Sequence, residues 1–124
     1  AHNGDGHKAI EFFNDMHREG VELNHFTFPS ILTACSVVSS QCFGEQVHGC
    51  IVRSGFGTNK FVQSALVNMY AKCGDLNCAK DVLETMEVDD VVSWNSMIVG
   101  CVRHGFEDEA VVLFKKMHAR NMKI

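Results

Sequence analysis

Six cysteines and seven histidines lie in a chain of 124 residues, enough sulfur and imidazole for a metal centre or a nucleophilic site if their spacing allowed one. It does not. The cysteines fall at 35, 42, 50, 73, 78 and 101 with no C-x-x-C pair, and the histidines at 2, 7, 17, 25, 48, 104 and 118 form no H-E-x-x-H. Zinc and thiolate sites need ligands presented together by a tight turn or one helical face, and these gaps supply neither. His17-Arg18-Glu19 matches the H-x-E half of a zinc-deaminase signature, but the P-C-x-x-C half is missing and the match reads as chance. Cys35, Cys73 and Cys101 sit inside apolar helical patterns, where a reduced thiol serves as a small buried hydrophobe. No nucleophile motif appears. The chain is expected to carry no catalytic residue, no metal and no cofactor, and not to be an enzyme.

A different polar arrangement is more informative. In DDVVSWNSMIVG, residues 89 to 100, two acids, the one Trp and an Asn crowd in front of an apolar run. Asp90 could cap a helix and Trp94 could be core. What surrounds them decides between those roles and others.

The chain is 46% apolar, long enough for one globular unit, and no apolar run approaches the roughly 20 residues of a membrane span. It is expected to be soluble. The opening AHNGDGHKAIEFF has no basic segment followed by an apolar one and looks like the middle of a longer sequence, with a targeting segment expected upstream.

A fixed period organises everything else. A small residue, an apolar pair and a long apolar residue recur as Ala9…Phe12-Phe13…Met16, Gly44…Val47-His48…Ile51, Ala79…Val82-Leu83…Met86 and Ala110…Leu113-Phe114…Met117, with anchors 35, 35 and 31 residues apart. Upstream of three anchors lies a second apolar helical pattern, in FTFPSILTAC, FVQSALVNMYAKCG and VVSWNSMIVGCVRHG. Gly74 and Gly105 close it five residues before the anchor. Each unit is thus helix, turn, helix, with apolar positions at i, i+3, i+4 and i+7. One hairpin cannot bury both faces, so the hairpins must stack, and the small anchors suit close helix approach. Met16 to Asn24 is eight residues and Met86 to Asp90 four, so the short unit loses its residues from the connector after its second helix. Residues 1–24 then form the second helix and tail of a unit, followed by units 25–59, 60–90 and 91–124.

These residues resemble pentatricopeptide repeats of the plant type, in which P and L forms of the longer period alternate with a shorter S form. FTFPSILTAC with GEQVHGCIVRSGF resembles the L form, FVQSALVNMYAKCGDLNCAKDVLETM the S form, and DVVSWNSMIVGCVRHGFEDEAVVLFKKM the P form. MYAKCG and VVSWN are the most specific runs, and the resemblance spans essentially the whole chain. Tetratricopeptide repeats would need a constant period of about 34 and a W-x-x-L-G-x-x-Y pattern, and neither is present. The resemblance implies an all-α fold, a right-handed α-solenoid of about seven helices. It makes 1–24 the end of a truncated P-type repeat, 25–59 L-type, 60–90 S-type and 91–124 P-type, cut from a longer array.

It also implies a function. Such repeats bind single-stranded RNA at roughly one base per unit, each read by a few side chains. The family's readers are the fifth and last residues of a unit. Carried over, these are Pro29 with Asn59, Ser64 with Asp90, and Asn95 with a residue beyond the chain end, while Asn24 closes the first unit. Family rules imply guanine for Ser64 with Asp90 and a pyrimidine for Asn95. Ser64 departs from the Asn common there in S forms. Pro29 offers no donor or acceptor, so the L unit is expected to read poorly.

Phe26, Phe61 and Val92, each second in its unit, match the family's apolar wedge against a base, with core packing as the alternative. Lys72 and Arg103, each thirteenth, match its cation near phosphate. Their alternative is a solvated helix end with a macrodipole benefit of about 0.3–1 kcal/mol. The implied partners are single-stranded RNA and RNA-editing or RNA-processing proteins, with no membrane. The implied setting is the mitochondrion or chloroplast. The implied role is an adaptor in organellar RNA processing, cytidine-to-uridine editing above all. A protein-interaction solenoid is the alternative, favoured by Pro29 and by overall acidity. Phe12 and Phe13 are expected to be partly uncovered, so the fragment should self-associate through its repeat ends.

A net charge of −4 is the wrong sign for binding phosphates. The first-helix segments 25–38, 60–73 and 91–104, however, contain Lys60, Lys72 and Arg103 and no Asp or Glu, so they carry +3 and leave −7 for the rest. The first helices should line one face, free of carboxylates as far as Asp90. Asp75, Glu107 and Asp108 suit second-helix N-termini, which accounts for part of the segregation.

Overall fold

The computed structural model describes residues 11, 14–20, 22–38, 41–87 and 89–120. Helical residues 14–18 (α1) are followed by α2 (Thr27–Val38), α3 (Gln41–Arg53), α4 (Lys60–Cys73), α5 (Leu76–Thr85), α6 (Val91–Arg103) and α7 (Glu107–Ala119). No strand occurs among the described residues. The all-α stack of hairpins is as expected from the period.

The turns inside the α4–α5 and α6–α7 hairpins are set by glycine. Gly74 and Gly105 adopt φ of 89° and 85°, conformations that cost any residue with a Cβ. Their left-handed step lets Asp75 N–H donate to the Tyr70 carbonyl at 3.0 Å and Phe106 N–H to that of Cys101 at 2.7 Å. Asp75 then caps α5, accepting from Cys78 N–H at 3.1 Å. Glu107, Asp108 and Glu109 occupy the first turn of α7, where the macrodipole favours them. These acids are where the simple electrostatic account put them.

The helices form two layers. α2 packs on α4 and α4 on α6, while α3, α5 and α7 back α2, α4 and α6. Between the layers lies a continuous core that includes Phe28, Leu32, Val47, Ile51, Leu66, Met69, Val82, Trp94, Met97, Leu113 and Met117. Each of the larger side chains contributes roughly 1.5–3 kcal/mol by burial. The anchors behave as close-approach points. A Cβ on Gly44 would stand 2.5 Å from Met69 Sδ, and Ala79 and Ala110 are buried. Ala9, Phe12 and Phe13 lie outside the described residues.

Gly100 sets the spacing of the first-helix layer. A Cβ there would meet Ala71 Cβ at 2.9 Å and the Ala71 carbonyl oxygen at 3.1 Å, so α6 lies almost backbone-to-backbone on α4. Cys35 and Cys101 are fully buried as expected, whereas Cys73, at the end of α4, is only half-buried. Burial, with the neighbouring Cys73, pushes the Cys35 thiol up to about 11 and keeps it protonated. No described helix is long and apolar enough to cross a membrane.

Candidate nucleic-acid interface

The side of α2, α4 and α6 turned away from the second helices bears two grooves in succession. The first runs between α2 and α4, with a volume of about 750 Å³. Phe26, Pro29, Phe61 and Val92 supply its apolar lining, and Ser64 lies among them. His25, Lys60, Asp89 and Asp90 complete it. The second, about 290 Å³, runs between α4 and α6 and is lined by Asn68, Lys72, Val92, Asn95, Ser96, Val99, Gly100 and Arg103.

The exposures separate the two roles proposed for the second residue of each unit. Phe26 is 73% exposed, Phe61 58% and Val92 64%, so none belongs to the core. The residues that do fill the core from the same turns are Phe28, Val62 and Trp94. Exposed aromatic faces in a groove are stacking surfaces for a planar ligand, and Lys60 Nζ already lies 5.3 Å from the Phe61 ring centroid.

Ser64 comes from α4 and Asp90 from the residue before α6, yet both line one groove. Asn95 lines the next, together with Lys72 and Arg103. Both cations are exposed in the last turns of their helices, so the phosphate role and the macrodipole role describe the same placement.

The unit-closing residues divide. Asn24 Oδ1 accepts from the backbone N–H of Phe26 at 2.9 Å and Thr27 at 3.1 Å. Asn59 Oδ1 accepts from those of Phe61 at 3.0 Å and Val62 at 3.2 Å. Both oxygens are committed to helix caps, and neither residue lines either of these two grooves. Asp90 holds the same position before α6 but makes no cap bond. Its Oδ2 accepts instead from the hydroxyl of buried Ser93 at 2.7 Å. The carboxylate is thereby fixed at the groove edge.

Next to it, Asp89 Oδ1 accepts from Arg120 Nη1 at 2.7 Å, and the Arg120 guanidinium lies 5.1 Å from the centroid of the Trp94 ring. Trp94 itself is 6% exposed and packs inward. His17 and Glu19 are exposed, and no group of three or more His, Cys, Asp or Glu among the described residues is placed to hold a metal.

Sequence reasoning missed Asn68, Ser96, Val99 and Asp89 as groove residues. Helical spacing could have found three of them, since Asn68 is four residues from Ser64, Ser96 four from Val92, and Val99 four from Asn95.

The pentatricopeptide repeat (PPR) family model matches residues 1–21, 64–91 and 92–122, more than half of the chain. The chain belongs to the pentatricopeptide repeat family. Relatives in Arabidopsis thaliana agree. It is 42% identical to a mitochondrial pentatricopeptide repeat-containing protein over 95% of this chain and 12% of that protein. It is 42% identical to a chloroplastic one over 88% of this chain and 21% of that protein. A third such protein is 39% identical over 98% of this chain and 17% of its own length. The chain thus spans between about an eighth and a fifth of these relatives. Pentatricopeptide repeat proteins are in general RNA-binding adaptors of organellar RNA processing and are not typically enzymes.

Proposed function

We propose that the chain is part of a sequence-selective single-stranded RNA-binding array that acts as an adaptor in organellar RNA processing. Its units are read as a truncated P-type end (1–24), then L (25–59), S (60–90) and P (91–124) forms of the plant PLS type. Selection of cytidine-to-uridine editing sites in a mitochondrion or chloroplast is the specific role this reading assigns to the whole protein. The observation that carries it is the convergence of Ser64 and Asp90 on one groove lined by exposed Phe61. Short polar side chains lose little entropy when fixed and can donate or accept at a base edge.

In this reading Phe61 and Val92 flank the base read by Ser64 with Asp90, and Asn95 begins the next reader. Lys72 and Arg103 meet phosphate. Asn24 and Asn59 act through the helix ends they hold, and Pro29 packs beside Phe26 without reading.

The test uses the 124-residue chain and short single-stranded RNAs differing at one base. Guanine is the expected preference, and Ser64→Asn with Asp90 retained should move it to uracil. An unchanged preference would sink the reader assignment.

The second reading is a protein-interaction solenoid in an RNA-processing complex. The apolar first groove, with Pro29 in its lining and Asp89 and Asp90 at its edge, favours it. It predicts partner capture that survives ribonuclease treatment and ignores Lys72 and Arg103.

A further inference from the structure

The second groove is polar in a way that the base readers and phosphate cations do not use up. Asn68 of α4 and Ser96 of α6 both line it, and both are half-buried. Neither side chain makes a hydrogen bond within the protein among the described residues. Val92 and Val99 supply apolar walls beside them, and no carboxylate lines the groove.

Along α4 the groups run Phe61 and Ser64 in the first groove, then Asn68 and Lys72 in the second, a single stripe at helical spacing that crosses from one groove into the next. Ser64 and Lys72 are about 12 Å apart along the helix axis, with Asn68 midway. A nucleotide presents base, sugar and phosphate in that same order. The residue facing the sugar is then Asn68, whose carboxamide both donates and accepts, with the Ser96 hydroxyl in the same groove.

We propose that Asn68 and Ser96 form a ribose subsite that binds the 2′-hydroxyl and so distinguishes RNA from DNA. This rests on the proposal that RNA lies along this face. The 2′-hydroxyl is the one group by which a protein can tell the two polymers apart at a given base order. Apolar walls suit the C–H edges of the sugar, and the flanking cations hold the phosphate.

The test is fluorescence anisotropy of the chain with a labelled RNA and with a deoxyuridine-containing DNA of identical base order, at low salt. Wild type should prefer RNA. Asn68→Ala with Ser96→Ala should weaken RNA binding by about fivefold while leaving DNA binding unchanged. Ser96→Thr keeps the hydroxyl and should keep the preference. Equal losses on RNA and DNA, or no change on either, would overturn the subsite, as would wild-type binding that is the same for both polymers. In each of these cases RNA binding itself stands, whereas failure of wild type to bind either polymer overturns both proposals.

Discussion

The two grooves lie on one layer of helices and differ in nearly every property. The groove between α2 and α4 is large, lined by aromatic rings, and mixed in charge, with Lys60 set against Asp89 and Asp90. The groove between α4 and α6 is less than half its volume, sets two amides and a hydroxyl between Val92 and Val99, and carries cations but no carboxylate. The difference begins with what stands at the same positions of successive units. At the fifth position Pro29 gives way to Ser64 and then Asn95, and at the thirteenth Val37 gives way to Lys72 and then Arg103. The tenth position matters as much, because Gly100 lets α6 settle onto Ala71 and narrows the second groove. One fold thus sets a large aromatic groove of mixed charge beside a small cationic one.

The contrast can be broken at its base. Gly100→Val should destabilise the chain by about 3 kcal/mol, because its side chain must displace the Ala71 backbone. Urea unfolding followed by the fluorescence of Trp94, the sole tryptophan, would measure this. A change below half a kcal/mol would mean that the α4–α6 contact yields freely. The charge difference comes next. Lys72→Gln with Arg103→Gln should weaken RNA binding roughly tenfold at low salt and reduce the slope of log affinity against log salt by about 1.4. Lys60→Gln, beside two acids, should change the slope less. Equal effects would erase the electrostatic distinction between the grooves.

The smallest effect separates capping from reading. Asn59→Ala should cost about 1 kcal/mol of stability, since two N–H groups of α4 lose their acceptor. Asp90→Ala takes no acceptor from the α6 N–H groups; its cost comes from the buried Ser93 hydroxyl, which loses its acceptor, and it should abolish guanine preference. No change in base choice would leave Asp90 only the structural role of holding Ser93.

The architecture was legible because one arithmetic regularity encodes it. Anchors 35, 35 and 31 residues apart, with Gly74 and Gly105 ahead of two of them, fix helix, turn and helix without any knowledge of packing. Exposure was not legible to the same degree. Phe26 and Phe61 look like core residues in a hydropathy pattern, and only the stacking of α2 on α4 leaves them outside while Phe28 and Val62 go in. The unit-closing residues mislead in another way. Asn24, Asn59 and Asp90 share a register, but Asn59 sits among backbone donors it can satisfy, and the carboxylate of Asp90 is drawn off by Ser93. Whether a polar side chain faces its own helix or a groove depends on what stands three residues on, which a repeat alignment averages away.

Val92 lines both grooves, as the far side of the first and the near side of the second. Occupants of neighbouring grooves therefore lean on a single side chain, and the rotamer that suits one limits the room left for the other. On the proposed RNA-binding reading, selectivity along such a surface is not a string of independent letters. It has a grammar in which adjacent positions constrain each other, so that the preference measured at one groove is a property of the pair.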